Sequence, residues 1–188
     1  MALRSAELGG IAVPESTWHG VERFLAQVSR GTHGGLACYQ PQSPVSVSMT
    51  AEAVYCRQVL GKPLAGAGLD EGVTLLGSEL PGTGQANYYY WYYATLALHK
   101  AQRNTSAAGS TWQRWNDQLK ETLVATQVKD GSNRGSWSPN SVWGGYGGRV
   151  YSTAMAAMCL EVYYRFGSPE EGEIPWVAGR PRAATSSR

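Results

Sequence analysis

The chain has 188 residues, a net charge of +2 and only 16% charged residues, which allows one domain with a real core but not two large ones. Its basic residues are scattered among acidic ones, so we expect no nucleic-acid-binding surface. No apolar run approaches the ~18 residues of a membrane span, and the N-terminus shows no signal peptide. The default expectation is therefore a cytoplasmic protein without a membrane span.

Periodicity and helix-breaking residues predict seven helices. The first ends at Gly9 and Gly10, because glycine commonly terminates helices. The third is expected to begin after Ser48 as its N-cap, and the fourth to end before Pro81 and Gly82. In chain order, the predicted helices are residues 2–8, 17–29, 49–60, 70–80, 86–102, 111–127 and 150–166.

After the first helix, amphipathic helices alternate with helices that are apolar almost all round, and Gly-rich loops join them. The fifth helix carries YYYWYYATLAL, and the seventh is apolar apart from Ser152, Thr153 and Glu161. A helix that is apolar on every side needs neighbours on every side. We therefore predict an all-α fold, a partial α/α toroid of about three helical hairpins plus a leading helix, over residues 1–167. A plain helical bundle is the alternative, and residues 168–188 are predicted to form a flexible tail.

An internal repeat supports the hairpin arrangement. Residues 27–61 match residues 127–166. The offset is about 100 residues near the loops and about 103 in the helices that follow, which indicates a small loop insertion. The matched loop residues are Gln27, Val28, Gly31 and Gly35 with Gln127, Val128, Gly131 and Gly135. The matched helix residues are Thr50, Ala51, Ala53, Cys56 and Val59 with Thr153, Ala154, Ala156, Cys159 and Val162.

These motifs resemble those of the terpenoid cyclases and protein prenyltransferases. Gln127, Gly131 and Trp137 are similar to the glutamine–glycine–tryptophan repeat of squalene cyclases, stretched by inserted residues. The segment GGRVYSTAMAAMCL resembles a late prenyltransferase segment in which an aromatic residue precedes a His-Thr pair. The strings SMTAEAVYCRQ, YYWYYATLAL and WGGYGGRVYSTA are similar to those of uncharacterised bacterial proteins with prenyltransferase/squalene-oxidase-type repeats. The resemblance implies an α/α toroid.

The chain departs from that family at its catalytic positions. Ser152 stands where the zinc-binding histidine would be, and the segment from Asn87 to Tyr90 holds no aspartate or cysteine. A catalytic zinc needs three protein ligands and an open position, so we expect neither a metal nor another cofactor. The clustered aspartates of squalene–hopene cyclases are also missing. Cys38, Cys56 and Cys159 form no CxxC motif and are predicted to be small buried hydrophobic residues.

Aromatic residues of the fifth helix, together with Tyr151, either pack in the core or line a central cavity. Aromatic faces bury large areas and stabilise cations, so such a cavity would suit an isoprenoid or another apolar chain. Two acids on predicted inner helices could have a raised pKa, or could pair with Arg57 and Arg165. The candidate lining residues are Tyr88, Trp91, Tyr92, Trp143, Arg149, Tyr151, Glu52 and Glu161.

Three functional hypotheses remain open at this point. The first is a binding or scaffold module with an aromatic-lined cavity that lacks the usual catalytic motifs. The second is an enzyme acting on an isoprenoid or lipid-like substrate through an acid such as Glu52 or Glu161, and the third is a helical-repeat surface for protein interaction. Because the chain supplies about half of a complete ring, we expect either that it belongs to a longer toroid protein or that two copies form a homodimer through the open toroid edges.

Overall fold

The computed structural model of the chain describes residues 1–165, and it confirms the all-α class. These residues form seven α-helices and one two-stranded antiparallel sheet. Phe166, predicted to end the last helix, and the predicted tail at 168–188 lie outside the described residues. The helices are α1 (Ala2–Leu8), α2 (Glu15–Val28), α3 (Val47–Val59), α4 (Gly66–Leu76), α5 (Tyr88–Ala101), α6 (Ser106–Thr126) and α7 (Gly144–Arg165), and the strands are β1 (Ser29–Arg30) and β2 (Leu36–Ala37).

The helices pack in two layers. In the layer that we call the inner layer, α5 lies between α3 and α7. On the other side, α6 packs against α5, and α4 packs against α3 and α6. Leu25 of α2 joins a small cluster with Ala37 and Ala53. The consecutive helices that pack closely are α3 with α4 and α5 with α6. The predicted hairpins α2–α3, α4–α5 and α6–α7, and the curvature that would make these layers part of a toroid, stay predictions.

The prediction that the fifth helix is enclosed is confirmed. Most side chains of α5 are buried, and two polar groups among its large aromatic contacts have hydrogen-bond partners. Tyr90 donates a hydrogen bond to the Leu76 carbonyl at 2.7 Å. The indole N–H of the fully buried Trp115 donates to the Thr95 hydroxyl at 3.0 Å. Satisfied polar groups of this kind allow large aromatic residues to fill a core without a desolvation penalty.

The prediction that the seventh helix is also enclosed on every side is wrong for one flank of α7. Val150 is 83% exposed, and Ala154, one turn later, is also exposed. The side of α7 that packs on α5 is buried, and it includes Ala156 and Cys159. Within residues 1–165, the flank of α7 that carries Val150 and Ala154 is therefore exposed, and we call it the open flank of α7.

Two helices begin earlier than predicted because their N-caps were not recognised. The N-cap of α3 is Ser46, whose side chain accepts a hydrogen bond from the Met49 N–H at 3.2 Å. Ser48 lies inside the first turn instead. Helix α6 begins at Ser106, where the Thr105 side chain accepts from the Ala108 N–H at 3.0 Å. In both cases the capping residue has an extended backbone, as N-caps usually do.

Helix α4 begins and ends four residues before its predicted bounds. Its C-cap is Gly77 instead of the predicted Pro81 and Gly82. Gly68, which precedes the predicted start, lies within the helix, and together with Gly72 it lets another backbone approach the helix closely. A Cβ atom on Gly35 would lie only 2.1 Å from the Gly68 carbonyl oxygen, and one on Gly72 would lie 2.9 Å from the Gly35 carbonyl oxygen. The loop before α3 therefore packs directly on the backbone of α4.

The seventh helix also departs from its predicted start at Val150. A short helical segment at 144–147 precedes it, and Gly148 separates the two parts with non-helical angles of φ 66° and ψ −166°. A positive φ of this size favours glycine. Within residues 1–165, no helix is both long enough and apolar enough to cross a lipid bilayer.

Candidate functional site

Three of the aromatic residues predicted to line a cavity lie inside the core. Tyr88 and Trp91 are each 4% exposed, and Tyr92 is 8% exposed. The Tyr88 ring meets the Trp91 ring edge to face, with centroids 5.1 Å apart. These side chains pack the inner layer against its neighbours, and a role in lining a ligand site stays a prediction for them.

Two other tyrosines of α5, Tyr89 and Tyr93, are partly buried and lie beside the candidate acid Glu52 of α3. Tyr89 and Tyr93 are one turn apart, with ring centroids 5.0 Å apart and planes tilted by 58°. The Tyr89 hydroxyl lies close enough to the Glu52 carboxyl group to lower its pKa, and Cys56 lies one turn after Glu52 on α3. We call Glu52, Cys56, Tyr89 and Tyr93 the Glu52 cluster. Sequence analysis singled out Glu52 and missed both tyrosines.

The carboxyl group of Glu52 lies in an environment that disfavours its charge. Burial raises its pKa, and the nearby Tyr89 hydroxyl opposes this effect in part. Oxygen Oε1 of Glu52 is shielded from solvent and has no hydrogen-bond partner. A buried acceptor without a donor is costly, so this atom is the least satisfied polar group that faces the cluster.

Both phenols beside Glu52 have raised pKa values. The pKa of Tyr89 is raised by burial first and then by the nearby Glu52 carboxylate. The pKa of Tyr93 is also raised, chiefly by burial. Both phenols therefore stay protonated at neutral pH.

The remaining groups near Glu52 offer no charge partner and no ready nucleophile. Burial raises the pKa of Cys56, so its thiol stays protonated at neutral pH. The predicted pairing of Glu52 with Arg57 is wrong. The Arg57 guanidinium reaches the end of α2 instead, where it donates to the Leu25 carbonyl at 3.2 Å and to the Ser29 hydroxyl.

The two candidates on α7 lie in contrasting positions. Glu161 is exposed, and the side chain of its suggested partner Arg165 lies outside the described part of the chain. Tyr151 is half-buried, and its hydroxyl is shielded from solvent without a hydrogen-bond partner. Of the two candidate acids, only Glu52 has the partly buried environment that an acid with a raised pKa needs.

The loop candidates Arg149 and Trp143 also differ in their surroundings. Arg149 donates from Nη1 to the Ser136 hydroxyl at 3.1 Å and to the Trp137 carbonyl at 3.2 Å. These bonds hold the loop before α7 and use part of the donor capacity that an anion would need. Trp143 is 47% exposed, and its ring centroid lies 6.2 Å from that of Tyr146, which is 90% exposed.

The residues that the sequence resemblance places at zinc-ligand positions have structural roles here. Ser152 is fully buried, and its hydroxyl oxygen lies 3.4 Å from that of Ser141. The Asn87 side chain caps α5 by accepting a hydrogen bond from the Tyr90 N–H at 3.1 Å. Within residues 1–165, no three His, Cys, Asp or Glu side chains come together as a metal site.

An open hollow of about 620 Å³ lies elsewhere, between α4 and the loop that precedes α3. Its lining includes Leu36, Thr74 and Glu71, and the Glu71 carboxylate is already bonded to backbone N–H groups of that loop. The hollow is shallow, and Asp70 Oδ1 on its wall, like Glu52 Oε1, is buried without a hydrogen-bond partner. We take the Glu52 cluster as the candidate site because an aromatic pair lies beside its unpartnered oxygen.

Comparison of the chain with protein families, with curated proteins and with solved structures gives no match. The candidate site is therefore argued from its own geometry.

Proposed function

We propose that the chain is a binding module of the terpenoid cyclase/prenyltransferase type that lacks the catalytic motifs of that family. In this proposal the inner layer forms part of an α/α toroid, and the Glu52 cluster lies on its ligand-facing side. The ligand is apolar, with an isoprenoid-like chain that lies against the rings of Tyr89 and Tyr93. Such a chain would be held mainly by the burial of apolar surface.

One observation carries this proposal. The partly buried tyrosines of α5 are an aromatic pair next to a carboxyl oxygen that has no partner, whereas Tyr88, Tyr90 and Trp91 are buried in the core. Ligand sites are mostly apolar and contain a few polar groups that fix orientation. The Glu52 cluster has this composition. The sequence resemblance to isoprenoid-binding families supports the same class of ligand.

Titration calorimetry with farnesol tests the proposal. We expect saturable binding that is weakened at least about tenfold by Tyr93→Ala, because the ring supplies a large share of the apolar contact. Tyr39→Ala is the matched control, since Tyr39 is 67% exposed and lies in the loop before α3. Farnesol binding that both variants weaken equally, or no saturable binding at all, would contradict the proposal.

An enzyme remains the second candidate, and the environment of Glu52 favours it over a role for Glu161. A carboxyl group with a raised pKa can donate a proton near neutral pH, for example to an alkene carbon of an isoprenoid. Incubation with farnesyl diphosphate or squalene, followed by product analysis, separates the two functions. Turnover that is lost in Glu52→Gln and kept in Glu161→Gln would establish the enzyme and overturn the purely binding role.

We further propose that two copies of the chain associate through their open edges. The open flank of α7 and the helical segment before it expose Trp143, Tyr146 and Val150. Near the other end of the layers, Ile11 and Phe24 are 66% and 51% exposed. Contiguous exposed apolar surface commonly marks an interface, and the unfinished ends of repeat arrays expose such surface.

Sedimentation velocity at tens of micromolar tests this association. We expect a dimer that Val150→Asp converts to a monomer, because an aspartate at the interface would lose its hydration. Val124→Asp serves as the control, since Val124 is 60% exposed on α6, away from α7's open flank. A strict monomer of the unmodified chain would reject the proposal.

A further inference from the structure

The loop before α3 binds a carboxylate through its main chain. In this first loop, residues 29–46, the N–H groups of Thr32, His33 and Gly35 donate to the Glu71 carboxylate at 2.7, 3.1 and 2.9 Å. Glu71 lies on α4, the helix that follows α3. Successive backbone N–H groups of a loop form an anion-binding concavity, and here a glutamate of the same chain occupies it.

The loop before α7 repeats the start of this arrangement. In this third loop, residues 127–143, the counterparts of the first two donors are Ser132 and Asn133. In each loop the donor pair follows a glycine with a positive φ, which is 89° at Gly31 and 74° at Gly131. In the described part of the chain, however, the N–H groups of Ser132 and Asn133 donate to no other group. The third loop therefore has two carboxylate donors without an acceptor.

A cation takes the place of the third donor. The Gly135 N–H donates to the Val128 carbonyl at 2.8 Å and is not available to a ligand. Arg134 stands instead where the first loop has Gly34. Its side chain is exposed and has no hydrogen-bond or ion-pair partner among the described residues. Two N–H groups beside a guanidinium suit the two oxygens of a carboxylate.

The charge of the third loop also favours an anion. Its basic residues, Lys129 and Arg134, outnumber its one acidic residue, Asp130. Arg149, which follows the loop, adds a further positive charge while it bonds to the main chain and a hydroxyl of the loop. An exposed carboxylate is therefore attracted to this loop.

The sequence after α7 repeats the acidic motif that supplies Glu71. Residues 61–63 read GKP, and residues 70–72, which contain Glu71, read DEG. Residues 167–169 read GSP, and residues 170–173 read EEGE. In both places a glycine and a proline follow the inner-layer helix, and an acidic pair with a glycine comes next. The repeat thus indicates a glutamate as the acceptor for the third loop.

These glutamates are near enough in sequence to reach the third loop. The loop lies at the start of α7, and residues 150–165 of the helix are roughly 24 Å long. The eight residues 166–173 can span up to roughly 28 Å. A glutamate of the chain's own acidic motif can therefore return to the loop along the length of α7.

We propose that the third loop binds a glutamate carboxylate from residues 170–173, through the N–H groups of Ser132 and Asn133 and the guanidinium of Arg134. This contact is the counterpart of the bond between Glu71 and the first loop. Its hydrogen bonds are charge-assisted and therefore stronger than bonds between neutral groups. The site is separate from the Glu52 cluster, so the inference does not depend on the proposed function.

Nuclear magnetic resonance of the isotope-labelled chain at neutral pH tests the contact. The triple variant Glu170→Gln/Glu171→Gln/Glu173→Gln removes the carboxylates and keeps the size of the side chains. We expect the amide signals of Ser132 and Asn133 to shift in this variant, because the charged acceptor is lost. Unchanged signals of these two amides would overturn the inference.

Two controls show whether the effect is local. The amide signals of Thr32 and His33, which donate to Glu71, should stay in place in the triple variant. Glu79→Gln, which removes an exposed acid just beyond α4, should leave the signals of Ser132 and Asn133 unchanged. If Glu79→Gln shifts them as much as the triple variant does, the inference is overturned.

The role of Arg134 is tested by combining substitutions. Arg134→Gln and the triple variant should each lower Tm, and the loss in the combined variant should be smaller than the sum, because both remove the same contact. Arg23→Gln is the matched control, since Arg23 is exposed on α2. Its effect on Tm should add to that of the triple variant. Additive losses for Arg134→Gln would overturn the site as proposed.

Mixing identifies the source of the carboxylate. The labelled triple variant is mixed with an excess of the unlabelled, unmodified chain. We expect its Ser132 and Asn133 signals to stay shifted, because each chain supplies its own glutamate. Signals that return to their positions in the unmodified chain would show that a second copy supplies the glutamate, which overturns the assignment within one chain. Circular dichroism verifies that each variant is folded.

Discussion

The loops that precede α3 and α7 share one hydrogen-bond pattern, although they are about 100 residues apart. In the first loop, residues 29–46, the Ala37 N–H donates to the Thr50 hydroxyl at 3.0 Å. In the third loop, residues 127–143, the Trp137 N–H donates to the Thr153 hydroxyl at 3.2 Å. The sequence repeat aligns these two threonines, and the structure gives them the same role. This bond is therefore a repeated element of the fold.

The two loops differ in what else holds them. The first loop is clamped by Glu71 from the next hairpin, whose carboxylate accepts from the N–H groups of Thr32 and Gly35 at 2.7 and 2.9 Å. The third loop is held mainly by bonds to residues near it in sequence. Gln127 donates to the Gly135 carbonyl at 3.0 Å, and Arg149 adds bonds to Ser136 and Trp137. One bond reaches further, from the Val142 N–H to the Ala86 carbonyl at 2.9 Å. The first loop is thus clamped by a carboxylate of the next hairpin, whereas the third loop has no such side-chain clamp among the described hydrogen bonds.

Replacing Thr50 or Thr153 by valine removes the hydrogen bond that the two loops share. We expect these substitutions to have the largest effect on stability. Thr50→Val and Thr153→Val each leave a buried or half-buried N–H without its acceptor, so we expect each to lower the free energy of unfolding by about 1–3 kcal/mol. Chemical denaturation measures both. Thr126→Val is the control, because Thr126 is exposed near the end of α6. A loss at one site only would show that the two loops are not equivalent.

Glu71→Gln tests the carboxylate clamp that only the first loop has. Its effect on Tm should be smaller than that of the threonine substitutions, and it should depend on pH. Bonds from Gly35 first, and then from Thr32 and His33, lower the pKa of Glu71 below its ordinary value of 4.5. A carboxyl group with a lowered folded-state pKa contributes stability above the unfolded pKa and loses it as the pH falls. We therefore expect Glu71→Gln to lower Tm at neutral pH, with a difference that shrinks below about pH 4.

Glu79→Gln is the matched control for this measurement, because Glu79 is exposed just beyond the end of α4. Its Tm should follow that of the unmodified chain across the same pH range. A Tm difference between Glu71→Gln and the unmodified chain that does not change with pH would contradict the role given to the carboxylate charge. Limited proteolysis at residues 31–35 should also be faster in Glu71→Gln.

Much of the fold could be predicted from the sequence because the hydrophobic pattern is strong. The apolar run of α5 demanded neighbours on all sides, and it has them. The predicted bounds failed where a local bond decides the structure, as at the Ser46 and Thr105 caps. They failed again at α4, where glycines that look like helix breakers are required by a close backbone contact. Neither a helix cap nor a close backbone contact changes the periodic spacing of apolar residues from which the helices were predicted.

The candidate site was predictable only in part. Glu52 stands out as an acid in an apolar helix, and a raised pKa was one of the alternatives considered for it. The tyrosine run from Tyr88 to Tyr93 covers more than one turn, so the sequence does not reveal which rings remain half-exposed. That choice depends on how α5 is rotated against α3 and α7. The resemblance to prenyl-binding families stays a prediction.

The contact between the first loop and α4 also restricts how this chain can change over evolutionary time. Gly35, Gly68 and Gly72 meet backbone to backbone, and a methyl group on any one of them would come within 3 Å of a main-chain oxygen of the opposing segment. Substitution of any one of these glycines by alanine would therefore push the first loop and α4 apart. Diverged descendants of this sequence should keep all three glycines together or replace the whole contact at once.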